Sequence, residues 1–295
     1  MKIKDIFAQK KPVVSFEIFP PKKEEAFKNI DELLEKLSVY QPDFISVTFG
    51  AGGTSTTTAD GKVKNPTVEI AQKIKNVHGM EAVAHLSCLN YDKAEVDGML
   101  LALKEAGIEN ILALRGDINP DVERKYDFKY ASDLVQYIKE HGDFGISGAC
   151  YPEVHPECSD MKTDIVNLKK KVDAGATHLV SQLFFDNAHF YDFVKKAREA
   201  GITVPIEAGI MPVTNKSQIE RMVTMCGATL PDKFKVILDK YENDDAALLD
   251  AGIAYAINQI VDLIAHDVDG IHIYVMNKPE VARRICEAIG AIRTN

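Results

Sequence analysis

The chain has 295 residues, a net charge of −9, and 46% hydrophobic against 27% charged residues, an ordinary globular balance. Its acidity sets aside nucleic acid and anionic membrane as main partners, although a local group of Lys and Arg can still hold a phosphate. The five cysteines, Cys88, Cys150, Cys158, Cys226 and Cys286, are scattered without CxxC spacing. They signal neither a zinc nor an iron–sulfur site, and they suit free thiols in a cytoplasmic protein.

Short apolar runs alternate with amphipathic segments along the whole chain. The first strand is expected at 13–19, followed by a helix over 23–39. Strands at 44–50, 81–88, 110–116 and 144–152 alternate with helices at 66–78, 92–106, 131–141 and 161–174. Strands at 177–185, 204–210 and 270–276 follow, with helices at 188–200, 215–225 and 279–290. Extra helical sequence, about 231–265, precedes the last strand. Eight near-continuous apolar strands alternating with helices predict a parallel sheet buried on both faces. In one domain of this length they fit a (β/α)₈ TIM barrel. No GxGxxG follows the first strand, which counts against an open dinucleotide fold. No apolar run of membrane-spanning length and no secretory leader is read from the sequence. The polar stretch 51–65 is the longest loop and falls on the catalytic face after the second strand.

In such a barrel, chemistry gathers at the C-terminal ends of the strands. Those ends carry polar residues in nearly every unit: Glu17, Thr48, His85, Arg115 with Asp117, Tyr151 with Glu153 and His155, and Gln182. Gln218 follows the seventh strand in "GIMPVTNKSQ". Each also has a structural explanation. Glu17 is either a working acid or the partner of Arg115 in an internal ion pair. Arg115 and Asp117 can pair with each other, and His85 can be a hydrogen-bonded core histidine. The Lys169–Lys171 run is either a solvated helix face or, with Asp164 and Asn167, a surface for a pyrophosphate.

The chain resembles the 5,10-methylenetetrahydrofolate reductases in their short bacterial form. The resemblance rests on "SFEIFPPK" (15–22), "PDFISVTFGAGG" (42–53), "AHLSC" (84–88), "ILALRGD" (111–117), "YPEVHPE" (151–157), "LKKKVDAGA" (168–176), "QLFFD" (182–186) and "GIMPVTN" (209–215), in family order. It implies an FAD-containing barrel in which NADH or NADPH reduces the flavin. Methylenetetrahydrofolate then takes the nicotinamide's place and is reduced to the methyl form. Glu17 would be the general acid, protonating the departing nitrogen as the folate ring opens. Its pKa would be raised by its sequence neighbours Phe16 and Ile18. Asp117 would sit at the flavin pyrimidine edge and meet the pterin.

The resemblance further matches Phe49, Ala51, His85, Arg115, Gly116 and Ala131 to FAD contacts. It adds Tyr151, His155, Asp164, Asn167, Lys170 and Lys171, with Arg115 and the two lysines placed for pyrophosphate and ribityl. Thr48 matches a nicotinamide-side position, Gln182 one shared by nicotinamide and folate, and Gln218 a folate contact. Lys278 stands where an Arg is common, and Met222 where some members have a Phe. The loop 54–65 is longer and richer in Thr than usual. A homo-oligomer is expected. A companion subunit docking on the loop, and a flavin-free barrel acting on a pterin, are the competing readings.

Overall fold

The computed structural model describes residues 1–21, 27, 29–49, 56–57, 63–118 and 125–294. Eight parallel strands close a barrel: β1 (Val13–Ile18), β2 (Phe44–Val47), β5 (Glu81–Ser87), β6 (Asn110–Leu114), β7 (Gly145–Cys150), β8 (His178–Ser181), β9 (Ile206–Ile210) and β10 (Gly270–Tyr274). β3 (Thr56–Thr57) and β4 (Val63–Lys64) pair antiparallel, apart from the barrel. With Asn65, whose side chain accepts the Thr67 N–H at 2.8 Å, they are the described part of the loop 54–65. The rest of that loop, and Ala51, lie outside the described residues.

The helices are α1 (Ile3–Phe7), α2 (Ile30–Ser38), α3 (Pro66–Asn76), α4 (Lys93–Glu105), α5 (Ala131–His141), α6 (Met161–Ala174), α7 (Asn187–Glu199), α8 (Lys216–Cys226), α9 (Asp232–Tyr241), α10 (Asp245–Ala265) and α11 (Pro279–Ile289). The (β/α)₈ barrel expected from the alternation is the fold observed. Most helix starts are written locally. The Asp92, Asp160, Asp186 and Asn215 side chains each accept a backbone N–H in the first turn of the helix that follows.

Strand alternation sorts the side chains. Val14, Phe16 and Ile18 point outward into the apolar layer between barrel and helices, with Ile45, Val47, Ile111, Ile271 and Ile273. Val13, Phe44, Val83 and Leu112 meet Ile3, Ile6 and Phe7 of α1, which closes the N-terminal end of the barrel. Above that apolar floor the interior turns polar: Ser15, Ser46, His85, Ser147, His178, Glu207 and His272 are all buried.

Three expectations need correction. Several strands stop earlier than their apolar runs: β2 at Val47, β6 at Leu114 and β8 at Ser181. The apolar letters beyond them serve packing. Phe185, for example, leaves the sheet to pack against Phe234 of α9, with ring centroids 5.4 Å apart. Second, α10 is long and apolar enough, by length and composition, to cross a membrane, against the expectation that no such run exists. Its Leu248, Ile253, Ala256, Ile260 and Leu263 are buried against the protein itself. Third, the apolar neighbours expected around the Glu17 carboxyl, Phe16 and Ile18, lie on the other face of the sheet.

Candidate active site

The C-terminal mouth of the barrel is a cleft of about 1870 Å³, well above the ~300–1000 Å³ usual for a single small ligand. Glu17 stands in it with its side chain 19% exposed. Its Oε2 lies 3.4 Å from His272 Nε2 and 3.5 Å from His85 Nε2. The expected pair with Arg115 does not form. Burial acts to raise the Glu17 carboxyl, but the His272 hydrogen bond and the charges of His85 and His272 outweigh it, so the group sits below its ordinary range. The sign is opposite to the expectation because imidazoles, and not the aromatic and aliphatic neighbours in sequence, face the carboxyl. Burial brings His85 itself down to about 4 against the pull of Glu17.

Arg115 follows β6 and makes a two-pronged bond to Glu157, both N···O distances 2.6 Å. It therefore pairs with neither Glu17 nor Asp117, although the Asp117 charge reaches it and helps hold the guanidinium protonated behind the larger effect of Glu157. Between them Gly116 has φ +86°, and a Cβ there would sit 3.0 Å from Ser87 Cβ. Only glycine makes this turn and approach without strain. Asp117 is exposed at the cleft edge.

The Tyr151 and His155 rings meet at 4.6 Å, edge to face. Burial pushes the Tyr151 hydroxyl up to about 12 and lowers His155. Asp164 fixes the 155 turn by accepting the His155 N–H at 2.9 Å.

The three lysines of α6 diverge. Lys169 pairs with Asp173 on the outside. Lys170 donates to Asn167 at 3.2 Å. Lys171 runs inward over Gly148 and donates to Ala149 O at 2.5 Å, and burial lowers its pKa. Lys170, Lys171, Asp164 and Asn167 share the cleft wall with Ala131, at the N-terminus of α5. Thr48, Phe49 and Gln182 line the same cleft, with Phe49 edge-on to Tyr91.

Two predicted residues lie elsewhere. Gln218 and Lys278 share a second hollow of about 390 Å³ with Thr214, Asn215, Asp245 and Leu249, where Lys278 donates to Thr214 at 2.7 Å. Met222, set apart in the sequence, packs into the apolar cluster around Phe185 and Phe234. Sequence reasoning missed His272 and Tyr274 of β10, Ser15 of β1, Glu207 of β9, and Glu157. The signal was present: polar letters two apart in "VSFEI" and "GIHIY", in phase with Glu17 once the strands pair.

A closed barrel whose mouth sets one acid between two imidazoles, beside a cationic wall and around so large a cleft, has the build of a (β/α)₈ enzyme. Residues 2–290 match the methylenetetrahydrofolate reductase family model. A 5,10-methylenetetrahydrofolate reductase of Pectobacterium carotovorum subsp. carotovorum is 36% identical, over 94% of this chain and 90% of its own. Methylenetetrahydrofolate reductase (NADH) 1 of Arabidopsis thaliana is 37% identical over 99% of this chain, which spans half of the plant protein. In fold, the chain superposes with a TM-score of 0.69 and 15% identity on a Clostridium thermocellum protein described as binding two copies of 5-methyl-5,6,7,8-tetrahydrofolic acid, covering 99% of this chain and 100% of that one. The chain belongs to the methylenetetrahydrofolate reductase family, a family of oxidoreductases.

Proposed function

We propose that the chain reduces 5,10-methylenetetrahydrofolate to 5-methyltetrahydrofolate, with FAD held in the mouth and NADH as electron source. The observation that carries this reading is Glu17, a carboxyl on the cleft floor between His85 and His272. The plant relative's name, which specifies NADH, supports the choice of nicotinamide.

The donor set of the wall fits a flavin dinucleotide. Arg115 presents a rigid guanidinium, already braced by Glu157. Lys171 spends one N–H on Ala149 and keeps two, which with Lys170 would hold the pyrophosphate. Phe49, His85, Gly116, Ala131, Tyr151, His155, Asp164 and Asn167 complete the FAD wall, and Thr48 flanks the nicotinamide side. Ala51 keeps its role from the family match alone. When bound, the flavin supplies the hydride.

The chain supplies the proton. Opening the folate's five-membered ring needs a proton on the departing nitrogen, and Glu17 delivers it. In the ligand-free chain Glu17 is held low by its imidazoles. A pterin seated over the mouth removes the remaining water from the carboxyl, and the desolvation that already acts on it then drives it toward its protonated form. Asp117 meets the pterin from the rim and sets the charge beside the flavin. Gln182 serves nicotinamide and folate in turn. Gln218 and Lys278, in their separate hollow, take the far end of the folate.

Anaerobic mixing tests the reading. The purified chain is expected to be yellow, to bleach with NADH and to recover its colour with methylenetetrahydrofolate. Glu17→Gln is expected to bleach normally and to lose at least about a hundredfold in the recovery step. A colourless protein, or recovery at the wild-type rate in Glu17→Gln, overturns it.

A further inference from the structure

Below Glu17 the barrel interior holds polar groups for which proton donation by a single carboxyl has no use. Ser15, Glu207 and His272 are each 0% exposed and come from three different strands. Ser15 Oγ lies 2.7 Å from Glu207 Oε1 and 2.6 Å from His272 Nδ1. His272 Nε2 faces Glu17 Oε2 at 3.4 Å, with Ser46 Oγ at 3.5 Å. At the other end Glu207 Oε2 is 3.0 Å from His178 Nε2, a close contact without hydrogen-bond geometry, and His178 Nδ1 meets Ser147 at 2.9 Å. Beneath, His178 packs on Phe7 of α1 with ring centroids 4.8 Å apart. Among the described residues the row meets the cleft at Glu17.

Ser15 has one hydroxyl hydrogen. If it goes to Glu207, Ser15 accepts from His272 Nδ1–H, and the bare Nε2 accepts from a protonated Glu17. If it goes to His272 Nδ1, a protonated Glu207 donates to Ser15, and Nε2–H points at an ionised Glu17. The two arrangements contain the same atoms and the same charge. They differ by three proton hops and by which carboxyl ends up neutral.

We propose that Glu207 is the proton reservoir of Glu17, connected to it through Ser15 and His272. The proposal rests on the reading of Glu17 as proton donor and deepens it. A lone carboxylate deep in a barrel is costly, and two in one row cost more. One shared proton leaves a single negative charge, which His178 faces at the inner end and His85 at the outer end.

With the mouth open the shared proton rests on Glu207. When a pterin dries the mouth, Glu207 gives its proton to Ser15, Ser15 to Nδ1, and Nε2 to Glu17. Glu17 then protonates the substrate nitrogen with no water reaching the site. The proton consumed in each turnover is replaced from solvent at the mouth after product leaves. The row stores one proton and is no channel, because its base is closed.

Glu207→Gln keeps the side chain's shape and cannot hold the proton. The infrared spectrum of ligand-free wild type is expected to show a protonated-carboxyl band that disappears in Glu207→Gln and persists in Glu17→Gln. Ser15→Ala removes only the connecting hydroxyl, and it carries the test if Glu207→Gln does not fold. It is expected to slow the folate half-reaction about tenfold to a hundredfold. It should also turn a curved proton inventory (several protons in flight) into a linear one. A band that survives in Glu207→Gln, or a Ser15→Ala enzyme with wild-type rate and inventory, overturns the reservoir. Wild-type recovery in Glu17→Gln sinks the donor reading instead, whereas an inactive Glu17→Gln beside an unchanged Ser15→Ala sinks the reservoir alone.

Discussion

At the scale of single residues, the mouth keeps its two expected charges apart. Asp117 is exposed at the rim and Arg115 is tied to Glu157. On the proposed reading, Asp117→Asn would remove a negative charge beside the flavin, which is then expected to become easier to reduce. Equilibration against a redox dye reads this, and an unchanged potential would contradict the placement. Arg115→Lys keeps the charge and loses the fork. On the proposed reading the loss of the brace from Glu157 is expected to weaken FAD binding about tenfold in a titration of the apoprotein. Glu17 was legible because a carboxylate in an apolar strand is costly without a purpose. Its partners were not, because His272 is 255 positions further along the chain. The expected Arg115 partner failed because Arg115 leaves β6 for a loop and turns to Glu157.

At the scale of elements, helices were read more accurately than strands. The expected spans for α5 and α6 coincide with those observed. Caps mark helix ends in the sequence, whereas a strand ends where its neighbour stops pairing. Asp92 and Glu95 form a reciprocal cap on α4, with the two bonds at 2.8 and 2.9 Å. Asp92→Ala is expected to cost about 1 kcal/mol in urea unfolding. Gly252 is different: it lies mid-helix in α10, where a Cβ would meet Val213 O at 1.8 Å. Gly252→Ala raises helix propensity, yet it should destabilise by about 1–3 kcal/mol because the helix must move off the β9 loop. A rise in melting temperature would refute that packing.

At the scale of the whole molecule, closing the barrel buries the His85 imidazole, which then resists protonation. His85 drops to about 4 in the folded chain from an ordinary value of 6.5, through burial first. Between those values the unfolded chain binds a proton that the folded chain does not. Stability therefore falls as pH drops from about 6.5 to about 4, by at most roughly 3 kcal/mol from this ring. Glu17, whose folded value is lowered, acts in the same direction, since its contribution is lost as pH falls through that value. Urea midpoints measured across this range should decline with acid, and His85→Leu should flatten the decline. An equally steep decline in the variant would assign the effect elsewhere.

The amino-acid order by itself determined the eight-fold alternation, most of the helices, and which residue types gather at the mouth. Periodicity, caps and side-chain chemistry act between neighbours in the chain, so they can be read there. Only the closed barrel decided that Glu17 faces His85 and His272, that Lys171 turns inward while Lys169 turns out, and that Ser15 joins Glu207 to His272. These contacts depend on strand register and closure, which bring together residues up to 257 positions apart.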